Sequence, residues 1–258
     1  MPKIQNPSLF DEDALDRKNL ESTINLHTAE VNSDSSTNNT PRIVSPSLIG
    51  TLSECPRCLW RHYNEGIKRP DGIFPSLPSG MDGVIKKYFD TFRSKSQLPP
   101  EIKDEIKGTL FTDLVKLNPW RSNWKGISHI FNKYNFLLRG AIDELIVSPE
   151  GEFIPFDFKT RGYDLKDDTH LHYQTQLDMY ALLFNKNDYK TANYGYLLFF
   201  WPAQYANSQT KFNTKLIKMD LDPERGLRLL KSAYEILAGS KPKASNTCQY
   251  CAFRREKK

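Results

Sequence analysis

The chain lacks any apolar run approaching the ~18 residues that a membrane-spanning helix requires, which excludes a helical membrane protein. Its N-terminus is polar and acidic and has no apolar signal-peptide core, so the expected compartment is the cytoplasm. No internal repeat is present, which excludes solenoids and propellers. Neither sign of charge dominates. Lys and Arg number 36 against 31 Asp and Glu, and a net charge of +5 with a pI near 8.9 is only a mild bias toward polyanions. Basic residues do cluster, at Arg57, Arg61, Lys68 and Arg69, at Lys86 and Lys87, and from Arg254 to Lys258. A solvated surface explains such clusters equally well.

What is present fits a soluble protein: 38% hydrophobic residues, 26% charged, and a mean hydropathy of -0.60. A chain of 258 residues can bury a sizeable core in one domain or two. Residues 1–43 are polar, with Asn32 to Thr40 nearly all Ser, Asn, Thr and Asp, and read as a disordered tail with a transient helix around Asp11 to Leu26. His27 in that tail reads as an ordinary solvated side chain. Order is expected from Ser45-Pro46-Ser47, where Ser45 caps a helix carrying Leu48, Leu52, Leu59 and Trp60 as far as Gly66. A second helix is expected from Pro78 or Ser79 to about Ser94, and a third from Pro99-Pro100 through Ile102, Ile106, Leu110, Leu114 and Leu117, ending before Pro119.

Gly126 to Tyr134 is a weaker strand candidate. Leu138 to Val147 and Ile154 to Thr160 then flank the turn residues Ser148-Pro149-Glu150-Gly151 and read as a β-hairpin. Thr169 to Asn185 reads as a helix, Tyr194 to Trp201 and Lys211 to Asp220 as strands joined by a polar loop, and Asp222-Pro223-Glu224 caps a last helix that Gly239 stops. Helices flanking a small central sheet make an α/β layered domain.

Three constellations carry chemistry. In Phe156-Asp157-Phe158-Lys159, period-two alternation turns the aromatics to one face and the carboxylate and amine to the other. A turn centred near Glu150 sets Asp143 opposite or diagonal to Asp157, and like charges so placed destabilise a sheet unless neutralised. A hard divalent cation, Mg²⁺ or Mn²⁺, suits such oxygens, and Lys159 beside it could orient or deprotonate a water or stabilise charge on a phosphate. An ordinary exposed strand face is the competing reading, because D-x-K is a short motif.

The second constellation is Gln176 and Tyr180, i and i+4 on one helix face, with Tyr173 one turn earlier. An amide and a phenol there could contact a phosphate backbone or stack on a base, although a polar flank of an amphipathic helix looks the same. His170 and His172, just before this helix, read as capping or surface groups. The third is the cysteines, all four in C-x-x-C pairs, Cys55 with Cys58 and Cys248 with Cys251. Two such pairs supply the four soft ligands of Zn²⁺ or an Fe–S centre, and would clasp the first helix to the C-terminal tail. Disulfides are disfavoured in a cytosolic chain, and a redox dithiol would need only one pair.

Together these residues resemble the RecB-like branch of the PD-(D/E)XK nuclease superfamily, notably the cysteine-clasped AddB and CRISPR-associated RecB-like exonucleases. The match covers residues 45–258. It implies a restriction-endonuclease-like core, with 44–125 helical, 126–220 catalytic and 221–258 a helix and cysteine tail. It implies that Asp143, Asp157 and the Phe158 carbonyl hold the catalytic metal, that Lys159 is the catalytic lysine, and that Gln176 and Tyr180 are the Q-x-x-x-Y motif that contacts DNA. The cofactor implied for the cysteines is a 4Fe–4S cluster. The substrate implied is single-stranded or end-processed DNA, with RNA the alternative, and the partner a helicase or another repair or defence protein.

Two departures stand out. The relatives commonly place one cysteine early and three late, whereas here the split is two and two, which makes Zn²⁺ an option. Many exonuclease-type relatives also carry a metal-binding histidine on the helix before the hairpin. The stretch Gly80-Met81-Asp82-Gly83 has none, and Asp82 is the residue that could stand in. A binding protein that does not cut, and an accessory subunit docked through the N-terminal tail, are the rival readings.

Overall fold

A computed structural model describes residues 40–70, 72 and 76–255. The expected transient helix at 11–26 lies outside them, as does most of the polar tail. The tail's expected boundary at residue 43 is corrected. Arg42–Val44 forms a strand (β1), whose Val44 is fully buried and whose Ile43 carbonyl accepts from the Tyr63 hydroxyl at 2.7 Å.

Ser45 caps the next helix, Pro46–Glu54 (α1), accepting from the Leu48 N–H at 3.2 Å, with Pro46 pre-set for the first turn. The expected single helix to Gly66 is two. Pro56 cannot donate to the ladder and disfavours helical geometry at the residue before it, so Cys55 is extended and a second helix, Pro56–Asn64 (α2), begins there. Ser76–Arg93 (α3) follows much as expected.

The expected third helix from Pro99 is also corrected. Turns occupy 100–105, and Gly108 at φ +141° lets Thr109–Leu110 (β2) pair with another strand; a Cβ at Gly108 would stand 2.5 Å from the Val147 carbonyl oxygen. Ile102, Ile106 and Leu110 are buried as the periodicity suggested, but from a turn and a strand. Only Leu114–Arg121 (α4) is helical, capped by Asp113, and it continues through Pro119 instead of stopping before it. The carbonyl that Pro119 deprives of a partner belongs to Val115, which is exposed.

Ile127–Phe131 (β3) and Phe136–Gly140 (β4) form, with β1, a three-stranded sheet in the order β1-β4-β3. Glu144–Val147 (β5), Phe153–Thr160 (β6), Tyr194–Ala206 (β7) and Gln209–Asp220 (β8) extend β2 into a five-stranded mixed sheet, β2-β5-β6-β7-β8. The hairpin register is the predicted one, with Glu144 opposite Phe156 and Ile146 opposite Ile154. Its first arm, however, is split between the sheets. The chain leaves one at Gly140, which packs against the Tyr180 ring where a Cβ would come within 2.9 Å, and enters the other at Glu144.

The expected polar loop after Trp201 is instead mostly strand. β7 and β8 run on to a tight turn at Asn207-Ser208, both with positive φ, as the primed turns of two-residue hairpins require. Gln174–Lys186 (α5), preceded by a 3₁₀ turn at Thr169–Tyr173, covers one face of the sheet, and Pro223–Ala238 (α6) packs on α5 and α2. α3 covers the other, with Phe89 against Phe158 and Phe156 at ring separations of 4.7 and 5.9 Å. No described helix is long and apolar enough to cross a membrane.

A charged network sits in this core. Glu144 is fully buried and is met by the Arg93 and Arg121 guanidiniums and by the Leu145 N–H at 2.8 Å, while Arg121 also pairs with Asp90 at 3.0 Å. Removing one partner of such a pair strands buried charge. Glu144→Ala should therefore lower unfolding stability by about 3–5 kcal/mol in urea denaturation. A loss under about 1 kcal/mol, the worth of an exposed pair, would show that the network is not a structural anchor.

Candidate active site

The break between β4 and β5 places Asp143. Its backbone is tied by the Arg121 Nε–H donating to its carbonyl at 3.0 Å, and the neighbouring Ile142 N–H donates to Trp120 at 3.0 Å. Its carboxylate is left to the site. Oδ2 accepts the Phe158 N–H at 3.0 Å, and Oδ1 pairs with the Lys86 ammonium at 2.9 Å. Lys86 also meets Asp82 at 2.8 Å, so Asp82 reaches Asp143 through a cation.

Asp157 and Lys159 leave β6 on the face opposite Phe156 and Phe158, as alternation requires. Asp157 is 1% exposed. Its Oδ1 accepts from Gln176 Nε2 at 3.2 Å, and its Oδ2 is ion-paired with the Lys159 ammonium. Lys159 donates to Gln176 Oε1 at 3.0 Å and lies 4.5 Å from the centre of the Tyr173 ring. Gln176 Nε2 also donates to the Tyr180 oxygen at 2.6 Å, and the Tyr180 hydroxyl donates to the Ala141 carbonyl.

These groups open on one cavity of about 470 Å³. Asp82, Asp143, Asp157, Lys159, Gln176 and Tyr180 line it, with Lys86, Arg121 and Arg139 on its walls. Burial first, and then the negative charge of Asp143, push the Asp157 carboxyl up to about 7 against the pull of Lys159. Burial opposes charge on Lys159, but the two carboxylates outweigh it and raise its pKa, so it is a cation near neutrality. Burial and the same carboxylates hold the Tyr180 phenol well above its ordinary value, which keeps it a donor.

The structure thus brings Asp143, Asp157, Lys159, Gln176 and Tyr180 together. It directs the last two inward, and Tyr180, 2% exposed, has its hydroxyl engaged inside the protein. Its ring packs against Gly140, and it still borders the cavity. Tyr173 is half-buried against Lys159 and Phe199. His170 and His172 do not line the cavity. Sequence reasoning missed Lys86 and Arg121. The i,i+4 spacing of Asp82 and Lys86 was a usable signal, whereas Arg121 meets its partners only through the fold.

The donor set fits a hard divalent cation. Two carboxylates converge, and the Phe158 carbonyl leaves β6 on the same edge as the N–H that meets Asp143. Elsewhere Cys55, Cys58, Cys248 and Cys251 place their sulfurs within 4.8 Å of one another, a group that could hold a metal ion.

Converging carboxylates beside an ammonium are an arrangement that metal-assisted hydrolases use. The family model described as the PD-(D/E)XK nuclease superfamily matches residues 81–255, about two thirds of the chain, and the chain belongs to that superfamily. Its members are in general metal-dependent nucleases. No curated protein matches the chain. It is similar to the crystal structure of SSO0001 at 17% identity over 93% of this chain and 95% of that one, with a TM-score of 0.44, a likeness too loose to bear on function.

A divalent ion held by Asp157 would need it ionised, so that proton and ion would compete for it. Mn²⁺ affinity measured by calorimetry should rise about tenfold per pH unit below about 7 and level off above it. An affinity independent of pH from 6 to 8 would remove Asp157 from the ligand set.

Proposed function

We propose that this chain hydrolyses DNA phosphodiester bonds as a RecB-like nuclease, on single-stranded or end-processed substrate, in repair, recombination or defence. The observation that supports it most directly is the convergence of Asp143, Asp157 and Lys159 on one cavity with cationic walls. Asp143, Asp157 and the Phe158 carbonyl would hold Mg²⁺ or Mn²⁺, with Asp82 able to join if Lys86 moves aside. Such an ion, when bound, supplies positive charge to the phosphoryl oxygens and activates water near neutral pH.

The chain's own residues do the rest. Lys159 is held between Asp157 and Gln176 Oε1, and its raised pKa makes it a charge stabiliser and proton donor to a phosphate under attack, not a base. Gln176 fixes that ammonium and the Asp157 carboxylate at once. Tyr180 locks Gln176 to the backbone at Ala141, and so acts as a positioning residue. Lys86, Arg121 and Arg139 give the walls the charge that a phosphate backbone seeks. A helicase or similar partner would supply unwound strands.

One observation favours a second reading, binding without cleavage: Lys86 already neutralises Asp143. A single set of assays separates the two. Asp157→Ala and Lys159→Ala should each cut Mg²⁺-dependent cleavage of single-stranded DNA by about 10²-fold or more, with the circular dichroism of the folded protein retained. Cleavage that persists in both variants overturns the assignment. Tight binding of DNA or RNA by the unaltered chain, with no turnover in Mg²⁺ or Mn²⁺, selects the second reading.

A further inference from the structure

We propose that Cys55, Cys58, Cys248 and Cys251 hold a single tetrahedral ion of the zinc type, not the four-iron cluster that the family resemblance implies, and that this ion steadies one wall of the catalytic cavity. The spacing of the sulfurs carries the first part. Cys58 and Cys248 are 3.5 Å apart, and Cys251 is 3.9 Å from both Cys55 and Cys58. Four thiolates each about 2.3 Å from one ion are separated by about 3.8 Å, the edge of the tetrahedron they form. In a four-iron cube each thiolate binds a different corner from outside, and the body of the cluster forces the sulfurs much further apart. All four here lie within 4.8 Å of one another.

The surroundings agree. Each pair forms a tight turn, with the Cys58 N–H donating to the Cys55 carbonyl at 3.0 Å and the Cys251 N–H to Cys248 at 3.2 Å. The Ser245 N–H points at the Cys55 sulfur at 3.5 Å. Four thiolates around a dication leave surplus negative charge, and the Arg69 guanidinium, which reaches Cys58 and stacks 4.7 Å from the centre of the Tyr250 ring, faces it.

The link to the cavity runs through α1. Ser45, Pro46 and Ser47 at its start line the cavity, and Cys55 follows its last residue, with the Cys55 N–H still bonded to the Thr51 carbonyl at 2.8 Å. One end of a short rod is thus held by the ion while the other borders the site. Three further bonds tie α2 to the C-terminal segment: Arg57 to Pro242, Trp60 to Gly239 and Asn64 to Leu237. Ion loss should therefore loosen this region without unfolding the chain.

The test reads metal directly and does not depend on cleavage. The full chain, purified anaerobically, should carry close to one equivalent of zinc and negligible iron or acid-labile sulfide by elemental and sulfide analysis. Grown with Co²⁺, it should show the visible ligand-field bands of a tetrahedral tetrathiolate. A brown protein with iron and sulfide in near equal amounts overturns the single-ion assignment, as does a chain that binds no metal. Removal of the ion by a chelator should speed amide exchange in Pro46–Glu54 and Gln249–Arg255 but not in Gln174–Lys186. Unchanged exchange in Pro46–Glu54 overturns its role as a steadied wall.

Discussion

Two carboxylates brought to one end of a sheet repel each other, and much of this structure consists of the contacts that make their approach tolerable. Unit charges about 4 Å apart interact by about 4 kcal/mol at an effective dielectric of ~20, a large part of a domain's net stability of about 5–15 kcal/mol. Asp143 is met by Lys86 and the Phe158 N–H, and Asp157 by Lys159 and Gln176. These cations are themselves partly buried and need anions in turn. Lys86 therefore also holds Asp82, and Arg121, one layer deeper, holds Glu144 and Asp90.

That layering separates what fixes the site from what acts in it. Glu144 and its two arginines pin β5 beside α3 and α4, and Arg121 fixes the Asp143 backbone through its carbonyl. The side chain of Asp143 is thus presented by a main chain tied to Arg121, with Oδ2 held by the Phe158 N–H and Oδ1 by an ammonium on a flexible side chain. A carboxylate held this way can trade an ammonium for a divalent ion without moving the sheet.

The strand that organises the site was legible because its signal is local. Alternation of Phe156, Asp157, Phe158 and Lys159 fixes which side chains share a face, and the Ser148–Gly151 turn fixes the register that brings Asp143 beside Asp157. The cysteine pairing was equally plain from spacing, and the four sulfurs do cluster. What was hidden depends on contacts between distant residues. Apolar periodicity through Ile102, Ile106 and Leu110 imitated a helix, but Gly108 sits so close to Val147 that the chain turns into an edge strand instead. The split of Leu138 to Val147 between two sheets follows from the packing of Gly140 on Tyr180 and from the burial of Glu144, neither of which leaves a mark on spacing. Arg121 could not be placed in the site for the same reason.

The helix motif shows how chemistry restricts a position once its neighbours are known. Gln176 stands between an ammonium and a carboxylate and serves both, its oxygen accepting from Lys159 and its amide donating to Asp157 and to Tyr180. A carboxylate there would add a third negative charge beside Asp143 and Asp157, and an amine would have no acceptor for Lys159. A shorter amide could not span the gap from the helix to both ends of the D-x-K pair. Tyr180 completes the count, because its oxygen takes the second amide hydrogen and its own hydrogen goes to Ala141. Every donor of the motif is then occupied within the protein, and the charges that border the cavity belong to Asp143, Asp157 and Lys159 and to the acidic and basic residues of its walls.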